Sequence, residues 1–224
     1  MKFRVVLLLK KNKKQNLEVI RFLKKLNIFV IKVFFLKRGD NLNFLNKEKI
    51  DILISYLSPC IVPKKILNKT TTLNINFHPG PPLYPGLGCY NFALLNNDKK
   101  YGVTAHEMSE YVDTGRIFEV KNFSINRSEN VKSLMEKSYK HLFLLFKNTM
   151  KEFKKKKELS YSKHKWLRKP YNRKEFEKIF ESKNFKNRNE ISNLIRSTYL
   201  EGYIGPIINL YGYKFVYLPD DKKK

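Results

Sequence analysis

The chain has 224 residues, with 46 Lys and Arg against 20 Asp and Glu, a formal net charge of +26, and 42% hydrophobic and 14% aromatic residues. That apolar content can bury enough surface to offset the ordering entropy, which excludes a disordered chain, and the length fits one α/β domain with a small appendage. Two cysteines, Cys60 and Cys89, exclude a disulfide framework and a four-cysteine metal site, and no stretch approaches the roughly 18 apolar residues of a membrane span.

Residues 3–9 are a nearly continuous run rich in Val and Leu, which reads as a buried first strand of a parallel sheet. The run is too short for a signal peptide and no small-residue cleavage site follows, so a soluble, cytoplasmic protein is expected. Leu17, Ile20 and Leu23 then recur at helical spacing over residues 15–26. Residues 28–36, 50–57 and 71–77 read as further strands, the last with Leu73, Ile75 and Phe77 on one face. Strands alternating with helices at this spacing predict βαβ units and an open, mostly parallel α/β sheet with flanking helices.

Residues 78–88, HPGPPLYPGLG, hold four prolines and three glycines and exclude both helix and central strand. A helix at 90–96, strands at 101–108 and 116–120, and a long amphipathic helix over 131–153 follow. The cationic run 154–157 reads as a solvated helix end leading into a linker. Asn172 is placed to cap a short helix with Glu175 in the reciprocal position, and Ile191, Leu194 and Ile195 mark another. Residues 207–210 and 214–218 around Tyr211-Gly212 read as a hairpin, and the closing DDKKK as a frayed tail. The organisation expected is a catalytic domain over 1–155 and a small α+β accessory segment over 156–224.

The charge has two readings. Phosphate neutralisation by Lys and Arg makes nucleic acid the first partner to consider. Yet Lys outnumbers Arg 37 to 9, whereas specific phosphate recognition favours the Arg fork, and the wealth of Asn, Ile, Phe and Tyr fits a compositional bias.

The chemistry concentrates in residues 74–118. Asn76 and His78 lie two apart at the carboxyl end of a predicted strand, so their side chains point the same way, at the edge where open α/β sheets bind ligands. Asp113 follows the next strand, and a parallel neighbour would return it to that edge. An Asn, a His and an Asp on three strand ends suit acyl transfer. The amide donates to a developing oxyanion, the imidazole exchanges a proton and the carboxylate orients the ring. His106, His141 and His164 read as structural.

The string N-x-H-P, a Pro/Gly loop ending in Pro85-Gly86, ALLN at 93–96, G-V-T-x-H-x-M at 102–108 and D-T-G at 113–115 resembles the catalytic domain of the folate-dependent N-formyltransferases. That group includes the methionyl-tRNA, glycinamide ribonucleotide and sugar enzymes. The resemblance is close over residues 50–118 and co-linear back to the start. It implies a formyl donor, 10-formyltetrahydrofolate, an acceptor amine, and no metal. It assigns the catalytic Asn, His and Asp to Asn76, His78 and Asp113. It places the folate pocket at Tyr56, Leu57, Ser58, Pro59, Cys60, Ile61 and Val62, and at Glu110, Tyr111 and Val112. Pro59 departs from the pattern and removes one backbone donor.

The purine-pathway enzyme has a glycine-rich turn after its first strand, and Lys10, Lys11, Asn12 and Lys13 stand here instead. Lys10, Lys11 and Lys13 at a predicted helix N-terminus are candidates for a substrate phosphate, with a solvated basic loop as the alternative. Residues 195–215 resemble the shortened start of the accessory region of the tRNA and sugar enzymes, with Ser197 where Ala is usual. They either contact the acceptor or pack as a hairpin, at the sheet or in a homodimer interface. So short a segment favours a small acceptor, an amino sugar on a nucleotide. Methionyl-tRNA, or an inactive relative that binds nucleic acid, is the alternative.

Overall fold

The computed structural model describes residues 3–182, 185, 187–203 and 205–219. Six strands form one sheet: β1 (Val5–Lys10), β2 (Val30–Leu36), β3 (Ile52–Tyr56), β4 (Leu73–His78), β5 (Lys100–Glu107) and β6 (Ile117–Ser124), in the order β2-β1-β3-β4-β5-β6. The first four are parallel, and β5 and β6 are antiparallel to their neighbours. The alternating βα pattern of the first half therefore yields the parallel sheet it predicts. The tail over 220–224 lies outside the described residues.

Period-two alternation in the strands builds two cores. Val5, Leu7, Leu9, Ile52, Ile54, Tyr56, Ile75 and Phe77 face helices α1 (Gln15–Lys25) and α4 (Val131–Lys156). Val6, Leu8 and Leu53 face the other side, under the short helix α2 (Lys64–Leu67) and a 3-10 turn at Asn43–Lys47. Neither short element has a helical period in the sequence, because four or five residues make barely one turn.

Phe146 of α4 anchors the larger core. Its ring meets Phe77 at 5.0 Å and Tyr56 at 5.4 Å, both edge-on, and no part of it is exposed. Truncation to Ala removes these contacts and leaves a cavity. F146A is expected to lower the unfolding free energy by about 3–5 kcal/mol, read from the shift in denaturant midpoint at unchanged slope.

Helix α3 (Cys89–Leu95) follows the Pro/Gly loop. Beyond α4 the chain returns across the loops at the sheet edge. Ser162 N–H bonds Ile117 O (2.8 Å), Leu167 N–H bonds Pro82 O (3.1 Å), and Tyr171 and Leu87 exchange with Pro85 and Tyr171 carbonyls (2.9 and 3.0 Å). Helix α5 (Arg173–Lys178) starts with the capping box that Asn172 and Glu175 predict. Helix α6 (Arg188–Thr198) is fastened to α3 and its C-terminal turn. Arg196 Nη2 donates to Leu94 O and Asn97 Oδ1 (2.9 Å each), and Asn91 Nδ2 to Ser197 O (2.8 Å).

The predicted hairpin forms as β8 (Ile207–Leu210) and β9 (Tyr213–Val216). A two-residue strand that the pattern does not reveal, β7 (Glu181–Ser182), joins it to make a second sheet. Among the described residues no helix is long and apolar enough to cross a membrane.

Candidate active site

Alternation along β4 sends Ile75 and Phe77 into the core beneath α4 and leaves Asn76 and His78 on the opposite face. The antiparallel register with β5 sets His106 opposite Asn76 and Thr104 opposite His78, so all four side chains share that face. This corrects the expectation of a parallel neighbour after β4. Because β5 runs back from the carboxyl edge, strand direction does not deliver Asp113. The loop between β5 and β6 folds back instead, with Asp113 itself in the left-handed region at φ 45°.

Of the three expected residues His78 and Asp113 meet directly, and Asn76 joins them through His106. His78 Nδ1 lies 3.1 Å from Asp113 Oδ2, and His78 Nε2 lies 3.2 Å from the Tyr84 carbonyl. Asp113 Oδ2 also accepts the Gly86 N–H at 2.8 Å, while its Oδ1 lies 3.3 Å from His106 Nε2. Asn76 Nδ2 is 3.0 Å from the same His106 nitrogen, whose other ring nitrogen lies 2.7 Å from the Glu107 carbonyl. The result is a chain, Asn76–His106–Asp113–His78, on the wall of one cavity of about 1240 Å3. His106, which reads as structural in the sequence, is its central link. Its signal was a polar residue two positions after Thr104, on the same face of the strand, but only the register makes it Asn76's partner.

Gly80 gives His78 its room, since a Cβ there would stand 2.5 Å from His78 Nε2. Burial draws the His78 pKa down, Asp113 opposes that, and the balance lies below the ordinary imidazole value. Burial pushes the Asp113 carboxyl up, but His78, His106 and the Gly86 N–H outweigh it and hold the group at about 2. Asp113 is therefore a carboxylate throughout the neutral range. The nearby Cys89 thiol is pushed up to about 12, chiefly by burial, and stays protonated.

The cavity is larger than the roughly 300–1,000 Å3 of a site for one ligand, so it has room for two reactants. Ser58, Cys60, Ile61, Val62, Tyr111 and Val112 line it, as do Leu57, Pro59 and Lys10. Tyr56 and Glu110 do not. The pleat of β3 turns the Tyr56 ring into the core against Phe77 and Phe146, and Glu110 turns outward to pair with Lys64 at 2.9 Å. Lys11 is exposed and also lies off the lining. Lys13 is partly buried over the ring of Tyr139, itself a lining residue, and burial and Lys10 lower its pKa. Tyr90, Asn91, Arg173, Phe176 and Tyr203, which the sequence did not single out, complete the far wall. Among the described residues no group of three or more His, Cys, Asp or Glu is placed to hold a metal ion.

A family model described as formyl transferase matches residues 10–142, more than half of the chain. The chain belongs to the formyl transferase family. Among curated relatives, the bifunctional polymyxin resistance protein ArnA of Wigglesworthia glossinidia brevipalpis is 33% identical over 122 residues, 52% of this chain and 19% of that protein. A methionyl-tRNA formyltransferase of Ehrlichia ruminantium is 30% identical over 103 residues, 46% of this chain and 34% of its own length. The chain thus spans about a third or less of these relatives.

Solved formyl transferase structures match far more of it. A 4-N formyltransferase from Francisella tularensis superposes with a TM-score of 0.76, at 19% identity and 97% coverage of both chains. An N-formyltransferase from Helicobacter canadensis, described in complex with folinic acid and dTDP-3-aminofucose, gives a TM-score of 0.74 at 20% identity, covering 95% of this chain and 86% of the other. The likeness in fold extends through the segment after α4.

Proposed function

We propose that this formyl transferase moves a formyl group from 10-formyltetrahydrofolate to the primary amine of a nucleotide-linked amino sugar, with Asn76, His78 and Asp113 as its catalytic residues. The observation that carries the reading is the contact of His78 with Asp113, and of both through His106 with Asn76, on the wall of a cavity with room for donor and acceptor.

The acceptor nitrogen attacks the formyl carbon, and the carbonyl oxygen takes up negative charge. Asn76 and the His78 Nε2–H, which exchanges the Tyr84 carbonyl for the substrate, donate to that oxygen, an interaction stronger in the transition state than in the ground state. Collapse breaks the bond between carbon and N10, the amine loses a proton and N10 gains one. The His78–Asp113 pair carries protons between them, and no net proton is consumed.

The Asn76 amide must offer its NH2 end to the oxyanion. Asn76 Nδ2 carries two hydrogens, so one turned toward His106 Nε2 leaves the other for the substrate.

The donor is assigned to the pocket of Ser58, Cys60, Ile61, Val62, Tyr111 and Val112, and the acceptor to the side of Lys10, Lys13 and Tyr139. Lys10 on the lining, with Lys13 off the lining but over the ring of the lining residue Tyr139, favours a phosphate-bearing acceptor. The match over nearly the whole chain to the Helicobacter canadensis N-formyltransferase described with dTDP-3-aminofucose supports a sugar, and the similarity to methionyl-tRNA formyltransferases supports methionyl-tRNA as the second reading. The experiment supplies 10-formyltetrahydrofolate with dTDP-linked 3-amino and 4-amino sugars or with methionyl-tRNA, and detects N-formyl product by mass spectrometry. A formylated sugar is expected. Formylation of methionyl-tRNA alone would overturn the acceptor, and no transfer to either would overturn the reading.

A further inference from the structure

The segment that returns across the sheet edge after α4 brings Trp166, the single tryptophan of the chain, against the reactive cluster. Its indole meets the His106 ring at 5.0 Å and 88°, and the His78 ring at 5.9 Å and 74°, both edge-to-face. Its Nε1–H donates to the Gly115 carbonyl at 2.7 Å, two residues beyond Asp113. Trp166 is not among the residues that line the cavity, whereas His78 and His106 are. It touches both imidazoles and the Asp113 loop without standing in the path of a substrate.

The neighbours of Trp166 hold it there. Leu167 N–H is bonded to Pro82 O in the loop after His78. Arg168 is stacked on Tyr171 at 3.2 Å and paired with Glu175, and so does not reach the histidines with its charge. Three pieces distant in sequence, β4 with its loop, β5, and the loop of Asp113, are thereby joined through one side chain.

Edge-to-face contact is directional, and it resists rotation of an imidazole about its own axis. His78 and His106 can each turn between orientations that exchange ring nitrogens and carbons, and the Asn76–His106–Asp113–His78 chain needs one of them. Gly115 adds the second constraint. A Cβ there would lie 1.9 Å from the Glu107 carbonyl, so this loop packs backbone to backbone, and the indole N–H takes up the Gly115 carbonyl.

We propose that Trp166 is a positioning residue of the active site, which fixes the ring planes of His78 and His106 and, through Gly115, the loop that presents Asp113. The part that concerns turnover rests on the formyl-transfer reading above; the part that concerns geometry does not.

Two measurements test it. The first needs no substrate. Protonated imidazole quenches indole emission on contact, so the fluorescence of this lone tryptophan should fall as pH drops and His78 takes up a proton. The groups facing His78 are the Asp113 carboxylate, the His106 ring and the Tyr84 carbonyl, and the Cys89 thiol does not titrate in that range. H78Q should reduce the quenching step. A pH-independent emission, or one that H78Q leaves unaltered, would overturn the placement.

The second measurement compares W166F and W166A with the wild type. Misplacement of about 1 Å costs of the order of 10²-fold, so W166A should lower kcat by about 10- to 100-fold while KM for the folate donor changes less than about twofold. W166F keeps a ring but loses the bond to Gly115, and should fall between. A W166F variant with wild-type kcat and pH profile, or a loss confined to KM, would overturn the positioning role. A wild type that transfers no formyl group defeats the functional reading instead, and the fluorescence titration still decides where Trp166 lies.

Discussion

Replacing His78 by Ala should lower kcat for formyl transfer by about 10²- to 10⁴-fold, the usual range for a proton-transferring side chain. Tetrahydrofolate binding, followed by calorimetry, should change far less, because the proposed donor pocket uses other lining residues, Ser58, Cys60, Ile61, Val62, Tyr111 and Val112, on the loops after β3 and β5. The substitution also leaves the buried Asp113 carboxylate with one partner fewer, so H78Q, which keeps a hydrogen-bonding group near Asp113, is the companion variant. If H78Q folds as the wild type does and still loses most of its turnover, the loss belongs to the chemistry. Full turnover in either variant would remove His78 from the mechanism.

The second large effect is expected at Asp113. D113N keeps the shape of the side chain but not the charge that faces His78 and His106, and it should reduce kcat by about 10²-fold or more. Its influence on stability has a definite sign. The carboxyl is held at about 2 in the folded chain, below its value in an unfolded one, so the unfolded state binds the extra proton as the solution is acidified. The stabilisation is present in full above about pH 4 and is lost as pH falls from there toward 2.

His78, whose folded pKa is lowered, works in the same direction at higher pH. The wild type should lose stability as pH falls below about 6.5, the unfolded imidazole value. Denaturant midpoints of wild type, D113N and H78Q from pH 7 to pH 3 would show each contribution. A D113N variant whose midpoint falls as steeply as the wild type's between pH 4 and 3 would contradict the ionised, partnered carboxylate.

Much of this was legible in the chain. Alternation in residues 73–78 is a property of the backbone itself, because successive side chains on a strand point to opposite faces. It put Asn76 and His78 together before any neighbour was known. The prolines and glycines of 78–88 excluded regular structure in the loop, since Pro cannot donate to a ladder and Gly weakens it. The capping box of Asn172 and Glu175 lies within one turn, so it could be read locally and is present.

What the sequence left open depends on partners far away along the chain. Tyr56 fits a pocket as well as a core until β3 and α4 pack together and its ring settles against Phe146. The reversal of β5, which makes His106 the partner of Asn76, has no local signature, because an apolar strand reads the same in either direction. Trp166 lies in a polar, irregular stretch with no periodicity, and it reaches the histidines only because the returning segment is bonded to the loops at residues 82, 85 and 117. Local rules thus settle which face a side chain takes within its own element. The choice of neighbour across that face comes from burying apolar surface between elements, and only the folded chain decides it.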